Sequence, residues 1–459
     1  MGVLFGTNGI RGLANIELTP EFAAKVGVAV GTFFGGGEVI VGSDARCTSP
    51  MLLSASISGL LSAGCRVYNV GMAPTPTIQY TIKESNVDGG LIITASHNPP
   101  EYNGIKVLAE DGVEISRDEE LTVEKVFFEE AFKRARWSKV VEPLALENIV
   151  ESYLDGVKKH IDTEAIRRME FKVVVDPANG VGTLCLPRLL NDLGCKVYTI
   201  NAELDGTFPN RPPEPRPENL GELSKIVKDL GADLGVALDG DADRAIFVDE
   251  KGEIHWGDKT FSLIAKFFLM KNPKSTVVTP VSSSSVIKDV VEECGGNILF
   301  TEVGSVAVSH KMKKVNAKLG GEENGGVFYG PHIPVRDGTM STGLILDLMA
   351  KSKKRLSELI SELPVYFIKK GKIECPNDLK GEVMKEVAIE FQDLPKEMTD
   401  GVKVFFPNKS AVLIRPSGTE PVIRIYAEGK DERNVDEIVS KYTQILERII
   451  TKRHVKKST

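Results

Sequence analysis

Hydrophobic and polar positions along the chain repeat one arrangement three times. A short β-branched run is followed by a turn, a helical stretch, a glycine and a second apolar run. The first copy runs from Val39-Ile40-Val41 through Ser54–Ala63 to Gly64-Cys65 and Val67-Tyr68. The second runs from Val173-Val174-Val175 through Leu184–Leu193 to Gly194-Cys195 and Val197-Tyr198. The third runs from Val277-Val278 through Ser285–Cys294 to Gly295-Gly296 and Ile298-Leu299-Phe300. Strands alternating with helices predict βαβ units and largely parallel or mixed sheets. Three spaced copies suggest three similar α/β domains.

Each copy leads to a further strand and a polar or Gly-rich loop. These are Thr94-Ala95-Ser96-His97-Asn98, Asp239-Gly240-Asp241-Ala242-Asp243 and Gly321-Glu322-Glu323-Asn324-Gly325. Ligands of open α/β sheets sit beyond the carboxyl ends of strands, so the three loops are expected to meet at one cleft. Pro209–Pro217, with five prolines in nine residues, predicts an extended loop inside the second unit. Glu142–Asn148 and Pro364–Gly371 are candidate linkers. Beyond them, 401–427 reads as strands and Asp431–Thr451 as a closing amphipathic helix.

The chain has 459 residues, enough for about three or more domains. Hydrophobic residues make up 42% and charged residues 26%, a globular balance. A net charge of −7 disfavours general nucleic-acid binding. No apolar stretch approaches the ~18–20 residues that span a bilayer. The N-terminus lacks a signal-peptide pattern and the Ser or Thr preferred for myristoylation, so a cytoplasmic, unanchored protein is expected. Six cysteines occur without a C-x-x-C pair, and Cys65, Cys185 and Cys195 read as buried reduced thiols. A homodimer remains open.

Asp239, Asp241 and Asp243 close an apolar strand. Three alternating carboxylates are costly there unless a hard cation neutralises them. An EF-hand loop shares this D-x-D-x-D opening, and Glu250 falls at its twelfth position. Its sixth position, however, is Arg244 where Gly is required, and the flanks read as strands. A Mg²⁺ site with a position open to phosphate fits better. Ser96 beside His97 is a candidate nucleophile, with a capping serine the plainer alternative. Arg415-Pro-Ser417-Gly418-Thr419 combines a guanidinium, two hydroxyls and backbone N–H groups, a mix suited to phosphate.

Five strings together resemble the α-D-phosphohexomutases: F-G-T-N-G-I-R-G (5–12), T-A-S-H-N-P-P-E-Y-N-G-I-K (94–106), D-G-D-A-D-R (239–244), G-E-E-N-G-G (321–326) and R-P-S-G-T-E-P (415–421). The resemblance covers nearly the whole chain. It implies three similar α/β domains with mixed sheets, plus a smaller α+β C-terminal domain, around a central cleft. Domain I would be 1–147 with the phosphoserine loop, and domain II 148–253 with the metal loop. Domain III would be 254–366 with the sugar loop, and domain IV 367–459 with the phosphate loop.

By the same resemblance Ser96 is the phosphorylated serine. Asp239, Asp241 and Asp243 hold Mg²⁺ together with the phosphate on Ser96. Arg244 lies beside that phosphate. Glu322 and Asn324 bind sugar hydroxyls, and Arg415, Ser417, Gly418 and Thr419 hold the non-reacting phosphate. Arg11, His97 and Lys106 surround the transferred group, with Lys106 a candidate acid or base. The implied activity interconverts hexose 1-phosphate and hexose 6-phosphate through a hexose 1,6-bisphosphate, with glucose and mannose preferred. Phosphoglucosamine mutase is the alternative, and a sugar-phosphate phosphatase or non-catalytic sensor a remote one. Gly326 stands where many bacterial members carry a proton-shuttling His. His332 is the candidate replacement, a surface histidine being the plainer reading.

Overall fold

The computed structural model describes residues 4–6, 8–417 and 421–458, with side chains to Arg453. It contains four sheets, and the first three share one plan. In the first, Arg66–Met72, Glu38–Ser43 and Gly89–Ile93 run parallel, then Tyr102–Ala109 and Ile10–Leu13 continue antiparallel. The second repeats this order with Lys196–Thr199, Lys172–Asp176, Leu234–Leu238, Ala245–Asp249 and Ile254–His255. The third repeats it with Asn297–Thr301, Thr276–Pro280, Leu319–Gly321, Val327–Tyr329 and Ile333–Arg336. The first sheet adds a short parallel edge strand, Leu144–Ala145.

The alternation of side chains along each central strand divides two cores. Val39 and Val41 pack with Leu91 and Ile93 under the helices Pro20–Phe33 and Ser49–Ser62. Ile40 and Ile92 face the other way, onto Ile78 and Ile82 of the helix Thr75–Glu84. Strands buried on both faces need continuous apolar runs, which is why these segments are β-branched throughout. The first two helices pack closely because Gly27 and Gly59 face each other's backbones. A Cβ on Gly27 would fall 2.3 Å from the Ser56 carbonyl oxygen, and one on Gly59 2.2 Å from that of Ala24. Val173, Val175, Val236, Val277, Leu319 and Ile345 lie in one cluster, so the second and third units share a core. Cys65, Cys185 and Cys195 are buried, which pushes each thiol up to about 12.

The fourth sheet is antiparallel throughout: Phe367–Glu374, Val422–Gly429, Ala411–Pro416, Val402–Phe405 and Lys396–Glu397. The helices Lys380–Glu390 and Glu432–Ser458 cover it. Pro364–Gly371 is therefore not a linker along its length. From Phe367 onward it is a strand paired with Val422–Gly429, because its backbone groups complete that ladder.

One structural rule places the chemistry. The Ser96, aspartate and Glu322 loops occupy the same position in their three units. Each joins the third strand of the parallel set to the antiparallel strand beside it. The phosphate-type segment likewise joins Ala411–Pro416 to Val422–Gly429.

Candidate active site

Ser96 follows the strand Gly89–Ile93 in a left-handed conformation, φ 49°. That region costs an L-residue roughly 1–2 kcal/mol, so neighbours must hold the turn. Its N–H donates to Thr94 Oγ1 at 2.9 Å, and Thr94 Oγ1 donates to Asp44 Oδ2 at 2.7 Å. The buried Arg46 guanidinium donates to the carbonyls of Ser96 (2.9 Å), Asn98 (2.6 Å), Pro99 (2.6 Å) and Tyr102 (3.0 Å). Sequence reading missed Arg46. Its only signal is an Asp-x-Arg step just past a buried strand.

The serine loop touches the aspartate loop directly. Ser96 Oγ donates to Asp239 Oδ2 at 2.8 Å, and lies 3.4 Å from His97 Nδ1. Gly240 permits the approach, since a Cβ there would fall 2.7 Å from the Ser96 carbonyl oxygen. Thr75 binds the same loop from the first domain, with its N–H to the Asp241 carbonyl at 3.0 Å and its Oγ1 to Asp241 Oδ2 at 2.8 Å. The proline-rich segment lies against it too. Arg211 Nε meets Asp176 Oδ2 at 2.7 Å and its Nη2 the Leu238 carbonyl at 2.7 Å.

Asp239, Asp241 and Asp243 are buried and offer oxygens within 4.8 Å of one another, so the group could hold a metal ion. Asp241 Oδ1 and Asp243 Oδ1 are buried and accept no hydrogen bond. Buried carboxylate oxygens of this kind suit a hard divalent cation. Burial, and then Asp243 and Asp241, push the Asp239 carboxyl well above its usual range. Burial acts the same way on Asp241, but Lys106, the Thr75 hydrogen bond and two arginines outweigh it and hold that carboxyl low.

The cations around these carboxylates come from all three α/β units. Lys106 Nζ lies 3.3 Å from Asp241 Oδ2, 3.4 Å from Asp243 Oδ2 and 3.6 Å from Glu114 Oε1. Burial opposes its charge, but these acids prevail and raise its pKa. Arg11 binds Asn98 Oδ1, and burial brings its pKa down to about 10. Arg244 N donates to Asp239 Oδ1 at 3.1 Å, and its Nε lies 3.8 Å from Asp243 Oδ1. Burial, with Arg244, Arg11 and Arg336, holds the His97 ring far below its ordinary value.

Glu322 N donates to the Gly326 carbonyl at 2.8 Å, and Gly326 N to Asn324 Oδ1 at 3.2 Å, closing the third loop on itself. Arg336, not foreseen from the sequence as a site residue, joins this loop to the aspartates. Its Nη2 lies 2.5 Å from Asp243 Oδ2 and its Nη1 3.4 Å from Glu322 Oε2.

His332 is not at this site. It is 1% exposed, stacked on Tyr80 at 4.5 Å between ring centroids, with Tyr153 at 5.5 Å. Neither ring nitrogen has a hydrogen-bond partner, and burial lowers its pKa to about 3. A substrate cannot reach it here. It packs the junction of three domains, so neither the proton-shuttle reading nor the surface reading holds.

Arg415 and Ser417 lie at the end of Ala411–Pro416 in the fourth domain. Arg415 Nη2 pairs with Asp400 Oδ2 at 2.8 Å, and Ser417 N donates to the Val422 carbonyl at 2.9 Å. Gly418 and Thr419 lie outside the described residues.

Four successive matches run along the chain. Residues 2–134, 151–252 and 256–366 match the phosphoglucomutase/phosphomannomutase α/β/α domains I, II and III, and 372–444 matches the C-terminal domain of the same family. The chain belongs to the phosphoglucomutase/phosphomannomutase family. A phosphoglucomutase/phosphomannomutase of Thermococcus kodakarensis is 47% identical over 97% of this chain and 99% of its own length. A phosphoglucosamine/phosphogalactosamine mutase of Sulfurisphaera tokodaii is 45% identical over 97% of this chain and all of its own. The crystal structure of a family protein from Burkholderia thailandensis, 27% identical, superposes with a TM-score of 0.87 over 97% of both chains. The family is one of phosphomutases, which are isomerases. Among the described residues no helix is long and apolar enough to cross a membrane.

Proposed function

We propose that this phosphomutase interconverts hexose 1-phosphate and hexose 6-phosphate, with glucose and mannose phosphates as substrates, through phosphoserine at Ser96. The observation that carries the reading is Ser96 Oγ at 2.8 Å from Asp239 inside the three-aspartate group. A nucleophile beside a cation site, ringed by Lys106, Arg11, Arg244 and Arg336, suits phosphoryl transfer. In such reactions positioning and charge stabilisation do most of the work.

In the forward half-reaction the Oγ–P bond of phosphoseryl-96 breaks. A new O–P bond forms on the free hydroxyl of the substrate, giving the hexose 1,6-bisphosphate. The hydroxyl proton leaves as the serine oxygen regains one. The bisphosphate then reverses its orientation, and its other phosphate returns to Ser96 by the same exchange. Asp239, Asp241 and Asp243 would hold Mg²⁺, which when bound neutralises charge on the phosphoryl oxygens. Lys106, Arg11 and Arg244 hold the same charge from the protein side, and His97 borders the serine oxygen. Glu322 and Asn324 orient sugar hydroxyls, the Asn324 amide nitrogen acting as donor while Oδ1 holds the loop. Arg415 and Ser417, with Gly418 and Thr419, hold the phosphate that is not reacting.

The 45% identity to a phosphoglucosamine/phosphogalactosamine mutase supports a second reading, amino-sugar phosphates handled by the same chemistry. The deciding assay supplies Mg²⁺ and a catalytic amount of hexose 1,6-bisphosphate, and compares glucose, mannose and glucosamine phosphates. Isomerisation that disappears in Ser96→Ala is the expected result, and the ranking names the sugar. Accumulation of free phosphate without isomerisation, or binding without turnover, would overturn the mutase reading.

A further inference from the structure

Arg336 is the only cation near the aspartates that arrives on the third domain among the described residues, at the end of the strand Ile333–Arg336. The two residues that follow it are held in place. Asp337 caps the next helix through Met340 N at 2.8 Å, and Gly338 N donates to the Ala242 carbonyl at 3.2 Å. The side chain is 4% exposed. Its fork spans Asp243 Oδ2 (2.5 Å) in the metal loop and Glu322 Oε2 (3.4 Å) in the sugar loop. With the Asn8 amide turned to satisfy its neighbours, Asn8 from the first domain also accepts from Nη2 at 2.9 Å.

The sugar loop is shaped around this side chain. A Cβ on Gly326 would fall 2.5 Å from Arg336 Cδ and 2.8 Å from Cγ. Any side chain at 326 must therefore displace the arginine stem. The grip on Asp243 Oδ2 also leaves Oδ1, which accepts no hydrogen bond, as the oxygen free to take a cation.

We propose that Arg336 is a positioning residue for the phosphoryl-transfer reaction: it ties Glu322 to Asp243, and Gly326 lacks a side chain to admit it. The inference rests on the mutase reading above. The planar guanidinium can bridge two carboxylates at once, which a lysine point charge does less well. It remains protonated, so it orients groups and carries no proton in the reaction.

The test measures hexose 1-phosphate binding by calorimetry in EDTA, together with KM and kcat in Mg²⁺. The variants are Arg336→Gln, Arg336→Lys, Gly326→Ala and the double Gly326→Ala/Arg336→Gln. Losing a charge-assisted contact at the sugar loop is expected to weaken binding and raise KM by roughly tenfold or more in Arg336→Gln. Arg336→Lys should recover part of the loss. Gly326→Ala should match Arg336→Gln although both charges remain, and the double variant should be no worse than either single. Independent, multiplicative losses, or wild-type binding and KM in Arg336→Gln, would overturn the proposal. If Arg336→Gln does not fold, Gly326→Ala decides alone: unchanged binding and KM would sink it. Wild-type protein without isomerase activity would instead remove the mutase reading, so the two failures are separate.

Discussion

Arg46 donates from Nη2 to the carbonyl of Ser96 at 2.9 Å, and with that one guanidinium holds four carbonyls of the serine turn. Its Nε pairs with Asp44 Oδ2 at 3.1 Å, which in turn accepts from Thr94. The left-handed Ser96 backbone is thus held from beneath by a buried ion pair.

Removing the guanidinium would leave the buried Asp44 carboxylate without its counter-ion and take a donor from each of the four carbonyls. Arg46→Ala is expected to cost about 3–5 kcal/mol, read as a fall in denaturation midpoint. Arg46→Lys keeps the charge but reaches fewer carbonyls. It should fold and incorporate phosphate on Ser96 more slowly than the wild type. Unchanged phosphorylation in Arg46→Lys would show that the turn does not depend on the fork.

Mg²⁺ should stabilise the fold as well as activate it. A cation bound only by the folded aspartate group adds about 2.7 kcal/mol at a hundredfold excess over its Kd. Thermal melting in Mg²⁺ against EDTA should therefore show a rise in Tm that Asp241→Asn abolishes. An equal rise in that variant would place the cation elsewhere.

Glu428 latches the fourth domain onto the third. It accepts from Ser284 Oγ at 3.0 Å, Ser285 N at 2.8 Å and Ser285 Oγ at 2.7 Å, at the start of the helix Ser285–Glu293. Lys403 Nζ lies 3.3 Å away and also donates to the Ser283 carbonyl. An anion at a helix N-terminus gains from the exposed N–H groups there. Glu428→Ala is expected to speed amide exchange at 284–286 and to raise KM more than it lowers kcat. Wild-type exchange at those amides would mean the contact does not hold the domains together.

Asp258 begins the helix Gly257–Lys271, and burial, then Glu323, raises its pKa to about 7. The folded protein keeps a proton there that the unfolded chain has released from about pH 4 upward. Stability should fall as pH rises through that window, by on the order of a few kcal/mol in all. Asp258→Asn should raise Tm at pH 8 and leave it unchanged near pH 4. A gain of the same size at both pH values would exclude the titration as its cause.

The sequence by itself determined the three βαβ units, because strand and helix periodicity is local and each central strand is apolar on both faces. It also carried the aspartate loop as a candidate cation site, and the Ser96 and Glu322 loops through their family resemblance. Tertiary packing decided the rest. Arg46 and Arg336 act on segments far from them in the chain, and their local sequence offers one polar residue among many. His332, beside Arg336-Asp337-Gly338, looked like a cleft residue until packing against Tyr80 and Tyr153 buried it. Phe367–Gly371 looked like a linker until Val422–Gly429 supplied its hydrogen bonds. Chemistry can be written into a loop, but which distant side chains converge on it depends on the three sheets repeating one strand order and so turning their loops toward one place.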